Sequence, residues 1–168
     1  NCGNVSTASQ TISVGDNDLP IFDQTVTDIT VECDNIPTAD ELTVSDNCDS
    51  DIDVLFSDVI SNSICANSYT ITRTWTATDN CGNTTSTQQI VTVEDTTAPA
   101  LIGVPTDENA DCDDIPSAPT TVTATDNCDT DVSIAYTENI EDNDCGQTIT
   151  RTWTATDDCG NASTATQI

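Results

Sequence analysis

The sequence predicts an all-β fold of tandem antiparallel β-sandwich repeats, with two disulfides in each repeat and the repeats arranged end to end as a rod. The first observation is internal repetition. Cys2 opens CGNVSTASQ, Cys81 opens CGNTTSTQQ and Cys159 opens CGNASTATQ, while ITRTWTATD stands at both 71–79 and 149–157. A period of about 79 residues marks tandem modules. The second is an apolar period of two with no helical stripe in either repeat, which reads as half-buried strands. The third is that the cysteines keep step with the repeat: Cys33 with Cys112, Cys48 with Cys128, and Cys65 with Cys145.

The links GDNDLP at 15–20 and EDTTAP at 94–99 separate the copies, because proline removes a ladder donor and suits the first residue of a new module. Residues 1–17 are then expected as the closing strand of a preceding repeat, 18–95 as repeat 1, and 96–168 as repeat 2 with its last strand truncated. Five strands are expected per repeat. In repeat 1 the first, around 21–33, opens after the link proline. The second, 41–46, carries Leu42 and Val44, matched by Val122 and Ala124. The third, 51–58, carries Ile52, Val54 and Phe56, matched by Val132, Ile134 and Tyr136. The fourth, 69–79, sets Ile71, Arg73, Trp75 and Ala77 on one face and a row of threonines on the other. The fifth, 85–94, carries Val91 and Val93. Short strands separated by regular turn signals indicate an immunoglobulin-like sandwich.

An odd strand number carries the chain from one pole to the other, so copies stack end to end. Parity places Cys33 and Cys65 at the lower pole and Cys48 and Cys81 at the upper. Of three connectivities, pairing like poles selects Cys33–Cys65 with Cys48–Cys81, and in repeat 2 Cys112–Cys145 with Cys128–Cys159. Cys2 is left unpaired, its partner expected in an upstream repeat.

Composition narrows the function classes. Only 35% of the chain is apolar and 4% aromatic, so modules this small need reinforcement, and nine cysteines point to an oxidising, extracellular setting. Thirty acidic against two basic residues give a net charge of −28, which excludes a nucleic-acid partner and disfavours an anionic membrane. No apolar run is long enough for direct membrane insertion. Without histidine or lysine, and with no nucleophile motif, the chain reads as a non-enzyme.

The acidic residues supply the leading candidate site, since calcium prefers several hard oxygen ligands. The upper-pole loops offer Asp46, Asp49 and Asp51 with Asp79 in repeat 1, and Asp126, Asp129 and Asp131 with Asp157 in repeat 2. The links add Asp16, Asp18 and Asp95. The competing reading is that these aspartates cap turns through local backbone bonds. GDNDLPIF resembles the calcium-binding link of cadherins, DxNDNxPxF, whereas VEDTTAPAL departs from it. Arg73 and Arg151 lie two residues before Trp75 and Trp153, and the expected role is structural: a guanidinium stacked on indole and closed by a carboxylate. Asn4, Asn83 and Asn161 occupy N-x-[ST] sequons, Asp95-Thr96-Thr97 resembles an O-glycosylation acceptor, and the threonine row reads as an ordinary solvent-side strand face or an adhesive one.

RTWTATDNCGN, followed by a Thr/Ser/Gln strand and VEDTTAP, with VECDNIP and TVSDNCDSD upstream, resembles the hyalin-like (HYR-like) repeats of large Bacteroidota surface proteins, above all SprB-type gliding-motility adhesins. The resemblance covers essentially the whole chain. It implies an extracellular, outer-membrane-associated filament, exported by type IX secretion and carried by gliding machinery, in which the repeats act as a stiff extender or adhesive array. Its partners would be neighbouring repeats and that machinery. The alternative is a module that itself binds surface polysaccharide or ice.

Overall fold

A computed structural model describes residues 2–168. Among them every regular element is a strand, and no helix is long and apolar enough to cross a membrane. In repeat 1 the strands are β1 (Ile21–Phe22), β2 (Ile29–Glu32), β3 (Val44–Ser45), β4 (Asp53–Cys65), β5 (Ser68–Thr78) and β6 (Thr84–Glu94). Repeat 2 contains β7 (Ala100–Ile102), β8 (Thr123–Thr125), β9 (Ser133–Asn143), β10 (Gly146–Thr156) and β11 (Ala162–Gln167). Each repeat is two sheets: β1-β3 with β2-β6-β5-β4, and β7-β8 with β11-β10-β9.

The expected first strand is in fact two, because the chain changes sheets within it. Asp23 donates its N–H to Thr43 O and its carboxylate accepts from the hydroxyls of Thr43 and Ser45, which fastens β1 to β3. Five residues later Asp28 accepts the Ile90 N–H and Thr27 O accepts from Gln89. The chain there joins β6, in parallel, from Ile29↔Val91 to Glu32↔Glu94. The sheet is therefore mixed rather than wholly antiparallel. Residues 2–20 form no strand, so the expected closing strand is absent from the described residues, whereas its equivalents β6 and β11 bond to neighbouring strands of their own repeats.

β4 runs on to Cys65 and turns through Ala66-Asn67 into β5. Its second half was unreadable as a strand because edge strands tolerate polar residues on both faces; β9 is exposed along its whole length. Along β5 the period-two reading holds: Ile71, Arg73, Trp75 and Ala77 are all buried. Ile71, Val91 and Val93 form a core packed by Ile29, Val31, Ile36 and Tyr69.

Contacts divide the chain into two compact units, residues up to Val26 with Asp40–Ser57 and Thr74–Gln88, and Thr27–Ala39 with Asp58–Arg73 and Gln89–Ile168. The division does not follow the repeat. The second unit holds the lower part of repeat 1, the EDTTAP link and all of repeat 2, so the joint between copies lies inside it.

The disulfides depart from expectation. Cys33 bonds Cys128 and Cys65 bonds Cys159, while Cys48, Cys81, Cys112 and Cys145 are free and exposed. Cys33–Cys65, Cys48–Cys81, Cys112–Cys145 and Cys128–Cys159 are thus all corrected. Parity sorted the cysteines to the correct poles but said nothing about lateral position. In the order β2-β6-β5-β4, Cys33 follows one edge strand and Cys65 ends the other. Three strand spacings are about 14 Å, twice the Cα separation a disulfide spans. Each lower-pole cysteine of repeat 1 instead meets an upper-pole loop of repeat 2, at Cα distances of 5.9 and 5.2 Å.

Each arginine is closed by a carboxylate as expected, but the indoles stack on other aromatic rings. Arg151 is buried and donates to Pro116 O, to Gln167 Oε1 at 3.2 Å and to Glu138 Oε2 at 3.1 Å. Arg73 reaches Pro37 O at 2.6 Å and Gln89 Oε1, with Asp58 3.9 Å away. The indoles stack on other aromatics: Trp75 on Phe56 at 5.2 Å and Trp153 on Tyr136 at 5.3 Å, both tilted. Residues two apart on a strand face project side by side, so the ring that meets Trp153 comes from its direct cross-strand neighbour, Tyr136.

Candidate metal centre

Three segments build each candidate site: the inter-repeat link, the loop after β3 or β8, and the turn after β5 or β10. The turn is CGN chemistry. Asp157 accepts the backbone N–H groups of Cys159 and Asn161 on Oδ1, and Gly160 N–H reaches Asp157 O. Gly160 adopts φ 89° and Gly82 φ 90°, a left-handed conformation that glycine takes without steric cost. In the loop, Asp126 Oδ1 accepts from Cys128 and Asp129 N–H, an Asx turn.

Asn161 joins turn and link. Its amide donates to Asp157 Oδ2 and Asp95 O, both at 2.9 Å. Asn83 does the same in repeat 1, to Asp79 Oδ2 at 2.7 Å and Asp16 O at 3.4 Å. The sequons at these positions are thus bracing residues whose amide nitrogens are occupied; Asn4 is exposed. The sequence signal for the bracing role was the recurrence of CGN itself.

The result is two equivalent carboxylate triads, Asp16, Asp46 and Asp79, and Asp95, Asp126 and Asp157, each with one oxygen per residue lying within 4.8 Å of the others. Asp95 and Asp157 are 6% and 7% exposed. Asp46 Oδ2, Asp95 Oδ2 and Asp126 Oδ2 are buried without any hydrogen-bond partner, an arrangement that is costly unless something positive compensates it. Burial, followed by the charges of Asp157 and Asp126, pushes the Asp95 carboxyl above its ordinary range. At Asp79 burial also pushes upward, but hydrogen bonds from Asn83, Cys81 and Gly82 prevail and hold it low.

The donor set fits a hard divalent cation. Calcium binds oxygen at 2.3–2.6 Å, so two of its ligands stand at most about 5 Å apart, and the oxygens of each triad lie within that limit. A grouping of Glu32, Asp95 and Cys128 does not qualify, because Cys128 is disulfide-bonded.

The remaining expected ligands lie outside the triads, and their bonds show why. Asp49 and Asp129 accept backbone N–H groups on both oxygens, from Asp51 and Asn80 and from Asp131 and Asp158. They lock loop to turn, and these bonds, led by those from Asp131 and Asp158, depress the Asp129 carboxyl. Asp51 and Asp131 contribute their N–H groups to that lock. Asp18 accepts from Asn47 at 2.6 Å. Glu32 was missed by sequence reasoning: it accepts the Thr96 N–H and hydroxyl, while Ser68 accepts the Asp95 N–H, so the link is pinned to the lower end of repeat 1.

No curated protein matches the sequence. Among solved structures, Drosophila N-cadherin EC1-4 aligns at TM-score 0.38 and 12% identity over 89% of this chain and 48% of that one. Protocadherin gammaB7 EC3-6 aligns at TM-score 0.35 and 15% identity over 89% and 47%. The chain therefore spans about half the length of each. Residues 21–93 and 102–168 each match the family described as HYR-like domain with 4 cysteines. With both copies matched over most of their length, the chain belongs to the HYR-like domains with four cysteines, as a tandem pair.

Proposed function

We propose that this chain is a non-enzymatic repeat segment of an extracellular surface adhesin, a stiff extender whose joints are braced by calcium. The observation that carries the reading is the recurrence of one carboxylate triad at both link–loop junctions, with partnerless buried oxygens at equivalent places, Asp46 Oδ2 and Asp126 Oδ2. A cation there would tie link, loop and turn together where flexing between copies must occur. Tandem HYR-like repeats and disulfide cross-links support the extracellular, adhesive setting. The RTWTATDNCGN resemblance supports the narrower one, a Bacteroidota filament exported by type IX secretion, moved by gliding machinery and engaging surface polysaccharide.

Calcium that binds only the folded state stabilises it by about 2.7 kcal/mol at a hundredfold excess over Kd. Thermal unfolding in calcium against chelator should show an upward shift of several degrees, reduced in Asp157→Asn. Asp95→Asn provides the sharper check. Removing a buried, repelled charge should raise stability in chelator while diminishing the calcium response. Equal melting temperatures with and without calcium would sink the bracing role.

A further inference from the structure

The two disulfides of the joint have a polarity. Both run from the lower pole of one repeat, at Cys33 and Cys65, to the upper loops of the next, at Cys128 and Cys159, with sequence separations of 95 and 94. Under the repeat's own equivalences Cys112 and Cys145 are a second lower pair, and Cys48 and Cys81 a second upper pair. All four are exposed free thiols. Asn80 N–H donates to Asp49 Oδ2 in the upper loops of repeat 1, as Asp158 N–H does to Asp129 Oδ2 in those of repeat 2. The frame that presents Cys128 and Cys159 to the joint is therefore also present around Cys48 and Cys81.

We infer that Cys48 with Cys81, and Cys112 with Cys145, are covalent docking pairs for further HYR-like modules. Cys48 takes the equivalent of Cys33 and Cys81 the equivalent of Cys65, while Cys112 and Cys145 take the equivalents of Cys128 and Cys159. Upper and lower pairs are complementary and not self-complementary, so the contact is head to tail. An array so linked is double-stapled at every joint. Each bond forms as two thiols lose two protons and two electrons. A small-molecule disulfide takes the electrons and leaves as two thiols.

A second copy of this chain supplies the partner for a test. In a Cys2→Ser background, oxidised glutathione should convert the protein into a ladder of oligomers that collapses to monomer on reduction. Peptide mapping should recover Cys48 joined to Cys112 and Cys81 joined to Cys145. Cys48→Ser/Cys81→Ser and Cys112→Ser/Cys145→Ser should each remain monomeric alone, and an equimolar mixture should stop at the dimer. Persistence of four free thiols under oxidation would overturn the inference. So would intrachain Cys48–Cys81 or Cys112–Cys145 bonds, or symmetric Cys48–Cys48 links. Mapping of the chain with all four thiols intact reads the same outcomes without relying on a variant that must fold.

Discussion

Glu138 illustrates how one side chain can set a pH dependence. It accepts the Tyr136 hydroxyl at 2.8 Å and the Arg151 Nε–H at 3.1 Å, and these two bonds, Tyr136 first, lower its carboxyl below the ordinary value near 4.5. A folded-state pKa below the unfolded one means stability that is present above the unfolded value and lost as pH falls through the folded one. The stability gap between the parent chain and Glu138→Gln should therefore be full at neutral pH and shrink below about pH 4.5, read from urea midpoints across pH. A gap that is constant through the acid range would show that the bonds do not favour the charged form. The cost at neutral pH includes the buried Arg151 left with one fewer acceptor.

At the scale of the element, β10 and its equivalent β5 carry most of what the sequence disclosed. Their alternation puts Trp153 and Ala155 at 2% and 0% exposure, and Trp153 pairs across the ladder with Tyr136. With few aromatics in the chain, the loss is not easily absorbed: Trp153→Ala should destabilise by about 3–5 kcal/mol, measured by urea unfolding followed by circular dichroism. A cost under about 1 kcal/mol would mean that this ring is not central to the core. These strands were legible because half-burial imposes a period of two. β4 and β9 were legible only in part, since an edge strand has no such requirement on both faces. The break between β1 and β2 was not legible at all, because it depends on Asp23 and Asp28 finding partners in two different sheets.

Across the whole molecule, covalent and electrostatic bracing coincide. Cys128 and Cys159 bond to repeat 1, and their backbone N–H groups orient Asp126 and Asp157. Reducing the joint therefore loosens the loops that bear two of the three carboxylates. Each disulfide closes a long stretch of chain, and Cys128→Ser should cost about 2–5 kcal/mol. Cys128→Ser with Cys159→Ser should cost more than twice that, because while one bond remains it shortens the loop the other closes and so mutes each single loss. Unfolding midpoints of the single and double variants measure both. No loss in the double variant would show that the joint is held by packing alone.

The sequence by itself determined the repeat, the strand class, the buried face of β5 and β10, and the poles at which cysteines and aspartates gather. These follow from periodicity and parity, which are properties of order along the chain. Only the tertiary structure decided which cysteines meet. Lateral position in the sheet separates Cys33 from Cys65 and directs each to the next repeat. The same distinction divides the aspartates. Asp95, Asp126 and Asp157 converge, with unpaired oxygens on Asp95 and Asp126, whereas Asp129 and Asp131 are engaged in the backbone bonds that hold the loops in place. Nothing in a one-dimensional pattern separates a triad aspartate from one that locks the loops, because both call for a carboxylate at a turn; what separates them is which groups the fold sets opposite each carboxylate.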